Sequence, residues 1–117
     1  MKALLIVAAA LFPVTANAQA LPYSDPAPGA QAIMQADYST AERQIGLNGI
    51  ASDDPARLIN LGVIFAQTGR SAAAELAFQK VMRLDDVSMS LADGSTDTSH
   101  GVAARALARL HSGAIGR

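Results

Sequence analysis

The chain has 117 residues, a formal net charge of −1 and no cysteine. This length fits one small domain, and a balanced charge without a basic stripe excludes a typical nucleic-acid-binding surface. The lack of cysteine excludes disulfides and a lipid anchor on an N-terminal cysteine. Only 4% of the residues are aromatic, although 50% are hydrophobic, which favours a core of small side chains packed between helices.

Residues 1–18 have the features of a secretory signal peptide. Lys2 gives a positive start, an apolar run extends from Ala3 to Phe12, and Ala16-Asn17-Ala18 is a small-residue cleavage site. Cleavage after Ala20 is the alternative. The apolar run has about half of the ~20 residues that a membrane span needs. We therefore expect a periplasmic protein without a stable membrane anchor.

Two segments precede the best-defined part of the sequence. Residues 19–29 hold three closely spaced prolines, which exclude a regular helix and predict an extended linker; the alternative is a strap across the helices. Residues 30–50 predict a partial helical repeat. Its second helix starts at Tyr38, and Asn48 and Gly49 indicate where this helix ends.

Residues 55–86 predict two helices joined by a tight turn. Asp54 is placed to cap the first helix and Pro55 suits its first position. Gly69 ends that helix, and Ser71 is placed to cap the second. The apolar residues of each helix recur at the spacing of a buried stripe: Leu58, Leu61, Gly62 and Phe65 in the first, and Ala74, Ala77, Phe78 and Val81 in the second.

The period then changes to that of a strand. Large hydrophobic residues alternate with small residues from Val87 to Ala92, and Asp93-Gly94 predicts a type I′ turn. Residues 87–98 are therefore predicted to form a β-hairpin. Ser99 is placed to cap a last helix over residues 99–112, which would close the array of helices, and residues 113–117 are predicted to form a flexible tail.

The helix pair over residues 55–86 resembles one tetratricopeptide (TPR) repeat. The order Leu61-Gly62, Phe65, Gly69, Ala74 and Phe78 is similar to the family pattern, which has about 34 residues per repeat. The chain departs from that pattern at Leu58, where a tryptophan is frequent, and it lacks a proline after the second helix. The resemblance covers about a third of the chain after processing.

The resemblance implies a mainly α fold of TPR-like antiparallel helical hairpins, with the short β-hairpin and the C-terminal capping helix completing one domain over residues 30–112. In TPR domains the first helix of each pair lines a groove that holds another protein or peptide. Carried over to this chain, the groove residues are Ala56, Ile59, Asn60, Val63 and Gln67. In one alternative, the hairpin or the strap covers these residues. In another, two copies of the chain meet there.

The sequence contains little that indicates catalysis. Its two histidines are His100 and His111, and Ser99 and His100, as neighbours on one helix, point apart. Asp93, Asp97 and His100 lack the full set of oxygen ligands of a calcium loop. We expect no catalytic residues, no metal and no cofactor, and a non-enzymatic protein-binding role. The alternative is a small periplasmic hydrolase or ligand-binding protein with its site near residues 93–100.

Overall fold

A computed structural model of the chain describes residues 6–7, 29–46 and 51–113. They are mainly helical with a small antiparallel β-hairpin, which confirms the predicted fold class at this level. In chain order the elements are β1 (Ile6–Val7), α1 (Ala30–Met34), α2 (Tyr38–Ile45), α3 (Pro55–Gln67), α4 (Ser71–Arg83), β2 (Ser88–Leu91), β3 (Thr96–Thr98) and α5 (Ser99–His111).

Several predicted segments lie wholly or mostly outside the described residues. They are the signal peptide apart from Ile6–Val7, the linker apart from Gly29, and the tail apart from Gly113. Within the described ranges, no helix combines the length and hydropathy required to cross a bilayer.

Helices α3 and α4 form a closely packed pair. The Asp54 carboxylate accepts a hydrogen bond from the Ala56 amide at 3.1 Å, and Pro55 opens α3 as predicted. Three residues connect the helices, so α4 runs back along α3. Gly62 lies against the Phe78 ring, where a Cβ on Gly62 would approach the ring Cε1 to 2.5 Å. The predicted stripe of α4 is confirmed, since its four residues are all fully buried.

Helix α2 begins where the sequence predicts it. The Asp37 carboxylate accepts from the Thr40 amide at 3.2 Å and caps the helix. The helix ends at Ile45, with Gly46 as its C-cap at φ +91°, which is earlier than the predicted end near Asn48 and Gly49. Residues 47–50 lie outside the described ranges.

The β-hairpin has a different turn from the predicted one. Strand β2 pairs antiparallel with β3, with Met89 opposite Asp97. The Gly94 amide donates to the Leu91 carbonyl at 3.0 Å, and Gly94 has a φ of +87° whereas Asp93 does not have a positive φ. The type I′ prediction is therefore wrong, because that turn needs a positive φ at both central residues. The chain instead turns over residues 91–94, closed by that hydrogen bond, with Gly94 in the left-handed region.

Two predicted helix caps are also wrong. Ser71 is the first residue of α4, and the N-cap is Arg70, which makes no side-chain capping bond. Thr98 caps α5 because its extended backbone lets its hydroxyl accept from the Gly101 amide at 3.1 Å. Ser99 is fully buried, and its hydroxyl accepts from the Val87 amide at 3.0 Å. Ser99 therefore joins the hairpin to α5 instead of capping the helix.

Candidate functional site

Four of the five residues predicted to line the groove are buried in the full chain. Ala56, Ile59, Asn60 and Val63 are each 0% exposed, and only Gln67 at the end of α3 is exposed. The groove would therefore become accessible only if an element that covers α3 moved or was removed. Binding of a partner in this groove stays a prediction.

Helix α3 is buried because other elements surround it. It contacts α4 most extensively, and it also contacts α1, α2, α5 and β1. A helix that is apolar on every side is typical of a protein interior, and nine of the 13 residues of α3 are buried. Only one of these neighbours, β1, belongs to the segment that the sequence predicts to be cleaved.

Strand β1 adds a third strand to the hairpin sheet. It pairs parallel with β2, with Ile6 opposite Ser90 and Val7 opposite Leu91. The strand order is β1-β2-β3, so β2 is the central strand of this sheet. This pairing is not predicted from the sequence, because the composition of residues 1–18 indicates a signal peptide. Their apolar composition suits both a signal sequence and a buried strand.

The hydrogen bonds of the hairpin show which backbone groups face β1. The Leu91 amide donates to the Ser95 carbonyl at 2.8 Å, and the Ser99 amide donates to the Val87 carbonyl at 2.8 Å. Successive residues of a strand direct their N–H and C=O groups to opposite sides. Ser88 and Ser90 therefore direct these groups away from β3, towards the edge that β1 occupies. We call this row of backbone groups the β2 edge.

The other candidate site, near residues 93–100, consists of groups with local bonding partners. Asp93 accepts from the amide and the hydroxyl of Ser95, which lowers the pKa of Asp93. Asp97 forms an ion pair with Arg105 on α5. The His100 Nε2 atom lies 2.6 Å from the Leu84 carbonyl and donates to it. These groups are used to fix the hairpin and the start of α5.

Asp86 connects the end of α4 to the start of α5. Its carboxylate accepts from the His100 amide at 2.9 Å and from the Ser99 hydroxyl at 3.3 Å. The amide hydrogen bond from His100, with smaller contributions from Thr98 and Ser99, lowers the pKa of Asp86. A carboxylate that receives amide hydrogen bonds at a helix N-terminus stabilises that helix. The arrangement has the properties of a helix cap.

The described residues contain no cluster of three or more His, Asp or Glu side chains that would hold a metal ion. Of the three candidates from the sequence, Asp93 lies in the hairpin turn, Asp97 lies on β3, and His100 is directed to the end of α4. The structure therefore does not bring these three side chains together as a ligand set.

Comparison with protein-family models, with curated proteins and with solved structures finds no match to this chain. The two features that bear most directly on binding are the burial of α3 and the pairing of β1 along the β2 edge.

Proposed function

We propose that the chain is a non-enzymatic, exported, TPR-like module that binds another protein or peptide along α3. The support for a TPR-like unit is the α3–α4 pair, in which Gly62 and Phe78 allow a close approach of the helices. The spacing of these two residues matches the family pattern quoted above. The proposed location is the periplasm, and no cofactor or nucleic acid is part of the proposal.

The observation that carries the proposal is the contact between α3 and β1. If cleavage after Ala18 removes β1, the side of α3 that β1 contacts becomes accessible in the processed chain. In this view, the full chain and the processed chain differ in their capacity to bind. The predicted groove residues Ile59 and Val63 are apolar, so the partner would supply an apolar surface to α3.

Site-specific crosslinking in the exporting cell tests the proposal. A photoreactive phenylalanine analogue is placed at Gln67, which is an exposed groove residue, or at Leu76 on α4, which is 60% exposed. Both positions tolerate a new side chain because neither is in the core. We expect an adduct with another protein from Gln67 and none from Leu76.

Intact mass measurement of the exported chain accompanies the crosslinking. A mass that begins at Gln19, or at Leu21 for the alternative site, agrees with the proposal. A chain that keeps Ile6 and Val7 contradicts it, and so does an equal adduct from the α3 and α4 positions. An adduct between two copies of the chain would indicate that the partner is a second copy and that the chain forms a homodimer.

A further inference from the structure

The β2 edge lacks charge and proline, two of the features that protect a sheet edge from pairing. Native proteins protect edges with charged residues, proline or a bulge. Residues 87–92 read Val-Ser-Met-Ser-Leu-Ala, without a charge or a proline. In the full chain β1 occupies this edge. Removal of β1 leaves the outward backbone groups of Ser90 without that partner strand.

We propose that, in the processed chain, the β2 edge binds an extended, uncharged, aliphatic segment of the partner protein, which runs parallel to β2 in the place of β1. This inference rests on the proposed function and specifies how the partner is held. The binding mode is strand addition, in which main-chain hydrogen bonds supply the affinity. The site lies beside α3, so one partner segment contacts both the sheet and that helix.

The chemistry of the bound segment follows from the strand that occupies the edge in the full chain. Strand β1 lies within a run from Ala3 to Phe12 that has no charged residue. It contacts α3, whose sequence is mostly apolar. A charged side chain placed against the buried, apolar part of this helix would lose its hydration. An aliphatic segment is therefore preferred over an acidic or basic one.

The hairpin supports the edge independently of β1. Two hydrogen bonds flank β2 on the side away from β1. The Leu91 amide donates to the Ser95 carbonyl, and the Ser99 amide donates to the Val87 carbonyl. Met89 and Leu91 are 2% and 7% exposed, so their side chains are anchored in the core. We therefore expect β2 to keep its position when β1 is absent, which makes the edge a preformed site.

Amide hydrogen exchange tests the inference on both natural forms, the full chain and the exported chain recovered after processing. The Ser90 amide points to the β2 edge, whereas the Leu91 amide is bonded to Ser95 and serves as the internal control. We expect Ser90 to exchange roughly tenfold faster or more in the exported form, the factor that corresponds to one lost hydrogen bond of about 1.4 kcal/mol. Leu91 should remain protected in both forms.

A synthetic peptide supplies the missing strand in trans. The probe is residues 1–12 followed by a short lysine tail for solubility, and the control is the same peptide with Val7→Pro, which cannot pair as a strand. We expect the probe to restore protection of Ser90 in the exported chain and the control peptide to leave it unprotected. The Ser90→Pro variant should bind the probe at least about tenfold more weakly, whereas Ser90→Ala, which keeps the amide, should bind normally.

Three results would overturn the inference. The first is protection of the Ser90 amide in the exported chain alone, because the edge is then covered by the chain itself or by a second copy. The second is equal binding of the probe to the Ser90→Pro and Ser90→Ala variants, and the third is equal protection by both peptides. If Ser90→Pro does not fold, the exchange measurements on the unmodified chain still decide the question.

The crosslinking and exchange experiments separate the two proposals. A specific adduct from Gln67 together with a protected Ser90 in the exported chain would keep the protein-binding function and reject the edge. Restored protection of Ser90 by the peptide, without an adduct from Gln67, would keep the β2 edge as a strand-binding site and reject the joint contact of the partner with α3.

Discussion

Replacing Gly62 with alanine tests the helix packing that underlies the TPR resemblance. The new Cβ would lie 2.5 Å from Cε1, 2.7 Å from Cζ and 2.9 Å from Cδ1 of the Phe78 ring. These distances are shorter than any normal carbon–carbon contact. The ring is fully buried, so it can move only by displacing its neighbours or by separating α3 from α4.

Two effects of opposite sign determine the size of the change. Alanine in a helix interior is favoured over glycine by about 1 kcal/mol. Overpacking a core costs about 1–3 kcal/mol, and a contact with three ring atoms belongs in the upper part of this range. We expect a net loss of about 1–2 kcal/mol, with a larger loss for Gly62→Val. In a domain of this size, each kcal/mol lowers Tm by about 4–8 °C.

Gly101→Ala is the matched control, since it makes the same change within another helix. Its Cβ would meet the Asp97 carboxylate at 2.5 Å from Oδ1, and this group, as the end of a side chain, can shift at the cost of weakening its ion pair with Arg105. We expect a smaller loss than for Gly62→Ala. Urea denaturation of both variants, followed by circular dichroism, measures the difference.

A double-mutant cycle with Phe78→Leu identifies the clash directly. A smaller side chain at position 78 leaves room for the new methyl group, so the loss in the double variant should be less than the sum of the single losses. The expected coupling is in the range of about 0.5–3 kcal/mol. A Gly62→Ala protein as stable as the parent, or an additive cycle, would refute the close packing of Gly62 on Phe78.

Three further predictions concern stability. The pKa of Asp86 is lowered in the folded state. The contribution of Asp86 to stability is therefore complete above the unfolded pKa near 4 and is lost as the pH falls through the lowered value. Asp86→Asn should weaken the dependence of Tm on pH in acid. Glu42 accepts two hydrogen bonds from Arg70 at 2.8 and 3.1 Å, but both side chains are over 40% exposed. Glu42→Gln should therefore lower the free energy of unfolding by less than about 1 kcal/mol, and this effect should shrink in 1 M salt. Ala36 has a φ of +58°, a conformation that glycine adopts more easily, so Ala36→Gly should raise stability by about 0.5–1 kcal/mol in denaturant titrations, and a loss would contradict the backbone assignment.

The sequence was sufficient to predict the α3–α4 pair. Asp54 and Pro55 mark the start of α3, and both have the predicted positions in the structure. The helical period of the apolar residues places Phe78 on the buried face of α4, where it is found. These signals are local, since each depends on residues within one or two turns of the same helix.

The missed features depend on partners that are distant in the sequence. Ser99 and Thr98 are both good capping residues, and the choice between them follows from the bond that Ser99 makes to Val87, 12 residues away. The β1–β2 pairing joins residues more than 80 positions apart. No periodicity in either segment indicates such a partner. The burial of the groove residues on α3 was one of the alternatives that the sequence left open, because several separate elements produce it.

The polar residues at the start of α5 hold strand β2 from the side opposite β1. The Ser99 hydroxyl accepts from the Val87 amide, and the Ser99 amide donates to the Val87 carbonyl. Asp86 joins this junction to the end of α4 through its bond to the His100 amide. Strand β2 is thus held at its first residues by α5 and along its length by β3, on the side opposite β1. None of these bonds involves β1, so we expect β2 to keep its position when β1 is absent, as the proposed strand addition requires.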